Sequence, residues 1–386
     1  MKNILFYISR YPGYGGIEKV TSVLANYWSK VIGWKVYILS VQAQDLNLLS
    51  ELDKDIKVYF LPKPHEISSS ENIDLLNQII TNNNIDWIIY QDSYAKTEDL
   101  LYAVKDKCKI AICEHNLPGC ISKQDYLNWK THKVKSIIDF IHKFTYFKHR
   151  LKVNEWERNR RCNLYELCNK YILLSKNYIP LFQNITKIKD LKKLTWINNP
   201  TTNNTINVRK TEVKKNFIFI GRLDDQKGIS HLLHIWKGIE FQHPEWSLRI
   251  IGDGVKRKEI EDFIKKNHLS RIFIEGFHPN INEYIDNASI LLMTSIYEGW
   301  PLVLFETMGR GIVPIIFNSF DSAHEIIDNY KNGILVEPFN INLFIKEIET
   351  LMNNNELILY MSNNAINKAK DNHISNINKK WIEILK

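Results

Sequence analysis

Residues Ile290–Glu306 read ILLMTSIYEGWPLVLFE and give the clearest indication of the fold. This stretch begins with an apolar run of the length typical of a buried strand, passes through a loop that contains Glu298 and Gly299, and continues as a helical segment. Pro301 suits the first turn of that helix. A buried strand followed by a loop and a helix is half of a βαβ unit, so the stretch predicts a parallel sheet.

The alternation of strands and helices continues in both directions from this stretch. Six strands are predicted in the first part of the chain, at residues 4–9, 35–41, 56–60, 86–91, 109–114 and 171–175. Six more are predicted in the second part, at residues 217–221, 247–252, 271–276, 290–294, 313–317 and 333–336. Two such series predict an α/β protein with two Rossmann-like domains facing across a cleft, with ligands beyond the carboxyl ends of the strands.

The length of 386 residues indicates about two domains. A polar stretch around Pro200 marks the boundary between them. The predicted domains are therefore residues 1–198 and 199–370, and residues 371–386 form a last helix with no strand after it. Residues 121–168 interrupt the rhythm and are predicted to be a long, basic, helical insertion in the first domain.

Composition disfavours several classes of protein. No apolar stretch reaches the roughly 18–20 residues of a membrane-spanning helix, and no signal peptide is recognisable, so we expect a cytoplasmic protein. The five cysteines are odd in number and form no Cys-x-x-Cys pair. They are expected to be free thiols in a reducing compartment rather than disulfides or zinc ligands.

The basic residues are unevenly distributed along the chain. Residues 130–161 contain ten Lys and Arg against three acids, in a protein of net charge +8. Apolar residues recur there at helical spacing, which predicts an amphipathic helix lying on an anionic membrane surface. The predicted membrane contacts are Lys133, Lys135, Lys143, Lys148 and Arg150. The same pattern also fits nucleic-acid binding, or a helix packed on its own domain with a solvated lysine face.

Two cations follow the first predicted strand of the second half. The segment from Gly221 to Gly228 contains Arg222 and Lys227, which can hold an anion as a planar fork and as a point charge. A diphosphate leaving group needs such neutralisation. The alternative is a solvated surface pair.

Two acids frame the loop and helix of the opening stretch. Glu298 lies in the loop and Glu306 in the helix, with seven residues between them. Gly299 allows close approach of the backbone, and a carboxylate such as Glu306 can bridge two ribose hydroxyls. One Glu on a helix is usually solvated, but two acids around Gly-x-Pro after a buried strand favour a binding site.

A glycine-rich turn follows the first strand. Gly13, Gly15 and Gly16 can let a phosphate approach the start of the next helix. The spacing is not that of the dinucleotide-binding fingerprint, and Gln42 stands where that fingerprint places an acid. A ligand role for this turn is therefore a hypothesis only.

The triplet Glu114-His115-Asn116 follows another predicted strand of the first half. A histidine at the end of a strand can donate a hydrogen bond to a sugar hydroxyl or a phosphate. A lone histidine is more often structural, so His115 is a candidate that needs support from its surroundings.

Taken together, these motifs resemble glycosyltransferase family 4, the retaining enzymes of the GT-B fold. The resemblance is dense from Phe217 to Pro338, and in the first half it is carried by Gly15-Gly16-Ile17-Glu18 and the Glu114 triplet. It implies two catalytic residues, Glu298 beside the donor sugar and His115 near the reacting face. It implies that the nucleotide-sugar donor is bound by Gly16, Arg222, Lys227, Phe277, Gly299, Trp300, Pro301, Leu302 and Glu306.

The resemblance also implies what the protein does. It indicates transfer of a sugar, with retention and without a metal or other cofactor, from a nucleotide sugar to a glycan or polyprenyl-diphosphate-linked acceptor. A UDP-sugar is favoured over GDP-mannose as the donor, and capsule, O-antigen or a similar polysaccharide is the expected product. The first domain would bind the acceptor, the second the nucleotide sugar, and the last helix would cross back to the first domain. With the basic segment, this predicts a peripheral enzyme at the inner face of the cell membrane.

Other functions remain open. The alternatives are a nucleotide-sugar epimerase of the same fold, a nucleic-acid-binding protein that uses the basic segment, and an inactive membrane-bound scaffold. Nucleic acid is not the expected partner, because the second half carries a full sugar-nucleotide pattern. Residues 318–325, NSFDSAHE, replace the Gly- or Pro-rich loop of many relatives. This loop would border the sugar site, so the donor sugar is left open.

Overall fold

The computed structural model describes residues 1–91, 96–131, 137–201 and 211–386. The chain divides into two compact units. The first comprises Met1–Pro200 together with Ile374–Lys386, and the second comprises Thr201–His373. Each unit is built on its own parallel sheet with interleaved helices, so the predicted α/β fold with two Rossmann-like sheets is confirmed.

The sheet of the first unit has seven parallel strands in the order β3-β2-β1-β4-β5-β6-β7. The strands are β1 (Asn3–Arg10), β2 (Lys35–Gln42), β3 (Lys57–Phe60), β4 (Trp87–Tyr90), β5 (Lys109–Glu114), β6 (Lys170–Leu173) and β7 (Leu194–Trp196). The short edge strand β7 was not predicted, because three residues are too few to show a periodic pattern.

The helices of the first unit are α1 (Gly16–Tyr27), α2 (Ser70–Asn83), α3 (Asp99–Tyr102), α4 (Cys120–Thr131), α5 (Ile137–Leu167), α6 (Tyr178–Thr186) and α14 (Ile374–Ile384). The predicted insertion at 121–168 corresponds to α4 and α5, which pack against each other. The long helix α5 connects this pair back to the sheet at β6.

The last helix of the chain, α14, packs on the first unit. Trp28 Nε1 donates a hydrogen bond to Asn378 Oδ1 (2.7 Å), and the Trp28 ring meets the edge of Trp381 with 5.5 Å between ring centroids. Trp87 Nε1 donates to the carbonyl oxygen of Leu385 (3.1 Å). Because these indoles are buried, α14 completes the hydrophobic core of the first unit.

The sheet of the second unit has six parallel strands in the order β10-β9-β8-β11-β12-β13. The strands are β8 (Asn216–Ile220), β9 (Ser247–Ile251), β10 (Ile272–Gly276), β11 (Ile290–Met293), β12 (Val313–Phe317) and β13 (Ile334–Val336). The helices are α7 (Ile229–Ile239), α8 (Arg257–Asn267), α9 (Asn282–Asp286), α10 (Leu302–Met308), α11 (Ala323–Ile326), α12 (Ile341–Met352) and α13 (Asn355–Asp371).

Both sheets reverse their strand order at one point. In the first sheet β1 lies between β2 and β4, and in the second β8 lies between β9 and β11. At such a switch point the connections leave in opposite directions and open a crevice at the carboxyl ends of the strands. The loops after β8 and β11, which carry the strongest sequence motifs, therefore lie side by side.

None of the helices in the described ranges is both long enough and apolar enough to cross a bilayer.

Candidate functional site

The loops after β8 and β11 are joined by hydrogen bonds in the second unit. The hydroxyl of Thr294, directly after β11, donates to the carbonyl oxygens of Lys227 (3.0 Å) and Gly228 (3.1 Å). The backbone N–H of Ile296 donates to the carbonyl oxygen of Gln226 (2.7 Å). The two loops thus form one rigid surface at the switch point of the sheet.

Glycine is required where the loops touch. Gly228 has φ of +67°, and a Cβ there would lie 1.9 Å from the carbonyl oxygen of Thr294. Gly252, directly after β9, has φ of +140°, and its Cβ would lie 1.9 Å from the carbonyl oxygen of Gly221. No side chain fits at either distance, so these glycines set the spacing of three loops.

The predicted site residues Lys227 and Glu298 are in direct contact. Lys227 Nζ lies 2.6 Å from Glu298 Oε1, and the two side chains are only 18% and 8% exposed. A charge pair that is largely removed from water is held more strongly than a surface pair, and either charge alone would be costly to bury. Loops from two strands therefore place an ammonium and a carboxylate together.

Arg222 lies on the same loop as Lys227 and reaches solvent. Its side chain is 69% exposed, and its Nη2 contacts Asp224 Oδ2 (3.2 Å) and Gln226 Oε1 (3.0 Å). In contrast to Lys227, its partners are on its own loop. The guanidinium is thus available to an anion that approaches the loop from solvent.

Glu306 lies in α10 and is buried. The helix begins at Leu302 with Pro301 as its N-cap, so Glu306 is one turn from the helix start. Trp300 stacks on Phe305 with 5.4 Å between ring centroids. This aromatic pair supports the backbone that connects the two acids.

The loop after β12, where the sequence departs from the common family pattern, contacts the Glu298 loop. Ser319 Oγ donates to the carbonyl oxygen of Ser295 (2.6 Å), and Ser322 Oγ donates to the carbonyl oxygen of Gly299 (2.8 Å). On the other side, Phe277 directly follows β10 and is 52% exposed. The predicted donor residues of the second unit thus lie in the loops after β8, β10 and β11 or in α10, the helix that follows β11.

His115 lies at the carboxyl end of β5 in the first unit and contacts the end of β4. Its Nε2 is 2.5 Å from Gln91 Oε1. Burial lowers the pKa of His115 to about 4, and the nearby side chain of Asn199 offsets this only in part. The imidazole is therefore neutral near pH 7.

A buried ion network lies beside His115 and was not predicted. Arg161 of α5 contacts Glu114 Oε1 (2.5 Å) and Glu157 Oε1 (2.9 Å), and the hydroxyl of Tyr171 donates to Glu114 Oε2 (2.8 Å). Burial and the Glu114 carboxylate raise the pKa of Tyr171 well above its usual value. The spacing of Glu157 and Arg161 is the one local signal of this network, but it does not reveal that the pair is buried.

The chain is similar in sequence to known glycosyltransferases, most clearly in the second unit. Residues 202–368 match the family of glycosyl transferases group 1. An uncharacterised glycosyltransferase of Haemophilus influenzae is 25% identical over 391 aligned residues, which cover 100% of both chains. Over residues 202–368 the chain is therefore assigned to the group 1 glycosyltransferases.

The chain is also similar to an enzyme of polysaccharide biosynthesis and to a solved structure that contains a nucleotide. The amylovoran biosynthesis glycosyltransferase AmsD of Erwinia amylovora is 28% identical over 225 residues, which cover 57% of this chain and 63% of that relative. The crystal structure of Anabaena HepE in complex with UDP and glucose has a TM-score of 0.76 at 16% identity and covers 100% of this chain and 99% of that one. The latter likeness confirms the predicted GT-B fold.

The basic segment of this glycosyltransferase is less exposed than its composition suggested. Arg160 makes a two-point contact with Glu98 (2.6 and 2.8 Å), and Arg161 is buried in the network described above. Two of its ten basic residues therefore face the interior of the first unit. This part of α5 packs on its own domain, which was one of the alternatives that the sequence left open for the basic segment.

The predicted membrane contacts are only partly described. Lys148 and Arg150 are exposed on α5. Lys133 and Lys135 lie outside the described residues, and Lys143 lies within α5 at a position whose side chain is also outside them. Only Lys148 and Arg150 can be placed on a surface.

The glycine-rich turn after β1 is occupied by a carboxylate of the protein itself, that of Glu18. Gly16 is the first residue of α1 and Gly15 its N-cap. A Cβ on Gly15 would lie 2.1 Å from Glu18 Oε2, and Glu18 is buried and paired with Arg10 (3.1 Å). A phosphate at this position would meet that negative charge, so the role predicted for Gly16 stays a prediction.

Proposed function

We propose that this glycosyltransferase moves a sugar, with retention, from a UDP-sugar to a growing surface polysaccharide or polyprenyl-diphosphate-linked glycan. The observation that carries the proposal is the Lys227–Glu298 pair, 2.6 Å apart at the switch point of the second sheet, with Arg222 on the same loop as Lys227. These groups are the ones that a diphosphate and the sugar attached to it require.

The two cations would neutralise the leaving diphosphate. Charge-assisted hydrogen bonds contribute about 1.5–3 kcal/mol each, and Arg222 and Lys227 can both donate them. Negative charge develops on the bridging oxygen as the glycosidic bond breaks, so fixed positive groups at that place lower the barrier. In this proposal the two side chains perform that neutralisation without a metal ion.

The donor and the acceptor are inferred by similarity and by charge. The HepE complex contains UDP and glucose, which supports a UDP-hexose, and the name of AmsD supports a polysaccharide product. Retention would follow from attack on the face that the leaving phosphate vacates, with that phosphate assisting the acceptor. Glu298 would then stabilise the sugar and not form a covalent intermediate.

Thermal stability in the presence of UDP- and GDP-sugars tests the donor assignment. We expect a UDP-sugar to raise Tm of the wild type and to raise it less for Glu306→Ala, because loss of the ribose contacts weakens binding about tenfold or more. The control is Glu356→Ala, which removes an exposed carboxylate at the start of α13 in the same unit. Equal shifts in all three proteins, or none with any nucleotide, would refute the assignment.

The exposed part of α5 supports attachment to an anionic membrane. Phe147 and Leu151 are 71% and 56% exposed and lie one helical turn apart, with the exposed cations Lys148, Arg150 and Lys152 between and beside them. Apolar side chains flanked by cations fit the boundary between acyl chains and anionic headgroups. We propose that this face holds the enzyme at the cytoplasmic surface, near a lipid-linked acceptor.

Reversing the charge of this face is expected to release the protein from vesicles. Each cation near an anionic surface contributes about 1 kcal/mol, so Lys148→Glu with Arg150→Glu should lower the vesicle-bound fraction at least about tenfold. Flotation with phosphatidylglycerol-containing vesicles measures this. Lys54→Glu with Lys105→Glu makes the same change in net charge at other exposed positions. Equal flotation of the two double variants would show that α5 is not the attachment surface.

A further inference from the structure

Gln91 is held in place at the switch point of the first sheet. It directly follows β4 and is fully buried, and its backbone N–H donates to the carbonyl oxygen of Tyr7 in β1 (2.9 Å). Its side chain crosses to the end of β5, where its Oε1 lies 2.5 Å from His115 Nε2. Two neighbouring strand ends are thus joined through one amide and one imidazole.

The direction of this hydrogen bond determines where the proton of His115 lies. An amide oxygen can only accept, so Nε2 of the imidazole must carry the hydrogen. The other ring nitrogen, Nδ1, then keeps its lone pair. Nδ1 is buried and has no hydrogen-bond partner among the residues that the structure describes. A second proton on Nδ1 would therefore bury an unpaired N–H and a positive charge.

We propose that Gln91 is a positioning residue that holds His115 as the neutral tautomer with its hydrogen on Nε2. The consequence for catalysis rests on the proposed function. The anomeric carbon gains positive charge in glycosyl transfer, as in glycoside hydrolysis, so a histidine with the role predicted for His115 adds no opposing charge when its ring is neutral.

The other groups around His115 are consistent with a neutral ring. The adjacent carboxylate, Glu114, is committed to Arg161 and to the hydroxyl of Tyr171. The amide of Asn199, which follows β7, also faces the ring and is uncharged. The hydroxyls of Tyr7 within β1 and of Tyr90 at the end of β4 bond to Thr97. Burial lowers the pKa of His115 to about 4.

NMR of the full chain with ring-¹⁵N-labelled histidine tests the proposal without any substrate. His115 is assigned among the twelve histidines by comparison with His115→Asn. In the wild type we expect a protonated Nε2 and an unprotonated Nδ1, with no change between pH 8 and pH 5. A proton on Nδ1, or protonation of the ring within this range, would overturn the proposal.

Two variants then separate the contribution of Gln91 from that of burial. Gln91→Met keeps the size but removes the acceptor, so His115 should become a mixture of two neutral tautomers. Gln91→Glu places a carboxylate beside Nε2, so the ring should be protonated near pH 7. Unchanged ring spectra in both variants would show that Gln91 does not control the imidazole. Gln78→Met, an exposed position on α2, is the matched control.

Initial rates connect the tautomer to turnover. We expect kcat of Gln91→Met to fall about tenfold with KM for the UDP-sugar within about twofold of the wild type, because the donor is bound by the second unit. The same kcat in Gln91→Met and Gln78→Met, with the tautomer changed only in the former, would remove the catalytic part of the proposal. If the protein transfers no sugar at all, the proposed function fails while the spectra still decide the role of Gln91.

Discussion

Replacing Glu298 with Gln is expected to tighten the binding of UDP about tenfold and to lower kcat about a hundredfold or more. In the unliganded protein the Lys227 ammonium is 2.6 Å from the Glu298 carboxylate, and both are largely buried. A diphosphate that needs the ammonium must share it with that carboxylate, and the two anions repel each other. Glutamine removes the competing charge, and about 1.4 kcal/mol of relieved repulsion corresponds to the tenfold gain. Turnover falls because the carboxylate beside the sugar is lost.

Calorimetric titration with UDP and initial rates with the UDP-sugar measure the two effects. Lys227→Ala provides the contrast. It should abolish measurable UDP binding and destabilise the second unit by about 3–5 kcal/mol, because it removes the ammonium from beside the largely buried Glu298 carboxylate. Lys227→Met combined with Glu298→Gln should recover most of the stability but not the binding. Weaker binding of UDP by Glu298→Gln would show that the carboxylate assists the diphosphate and does not compete with it.

Gly252→Ala is expected to destabilise the second unit by about 3 kcal/mol or more and to abolish UDP binding. The new Cβ would lie 1.9 Å from the carbonyl oxygen of Gly221, and the φ of +140° is one that alanine rarely adopts. The clash is with backbone, so the loops after β8 and β9 must separate. The first of these loops carries Lys227, whose ammonium is the proposed diphosphate contact.

A matched glycine separates the clash from the backbone strain. Gly276→Ala introduces a Cβ at a φ of +82° in the same unit, but the nearest atom is the flexible end of Arg257 at 3.6 Å. We expect this control to lose only about 1 kcal/mol. Thermal unfolding should therefore show a drop of about 6–12 °C for Gly252→Ala and about 2–4 °C for the control. Equal drops would mean that the loops after β8 and β9 do not depend on close contact.

The strand–helix alternation could be predicted because buried parallel strands leave a strong local pattern. The strands β11 and β12 are continuous apolar runs bounded by polar loops. Such a run is typical of a strand whose two faces are both buried. The β7 strand could not be predicted, because three residues with intermediate burial at an edge carry no such pattern. Local sequence thus predicts an element well when the element is long and buried.

The basic segment shows a limit of composition as evidence. Arg160 and Arg161 contributed to the excess that indicated a surface helix, yet both are buried in ion pairs with Glu98, Glu114 and Glu157. The partners Glu98 and Glu114 lie 62 and 47 residues away along the chain. Charge counts within a segment cannot include such partners, so they overstate the charge that reaches solvent.

The two parallel sheets and the charged loops that follow their strands could be predicted from local sequence. Apolar runs and glycines act locally on the backbone, so their pattern is visible along the chain. The folded chain was needed to show which side chains meet: Lys227 with Glu298, 71 residues apart, and Gln91 with His115, 24 residues apart. Such pairs depend on strand order and loop spacing, which are settled when the whole sheet forms and its strand ends come together.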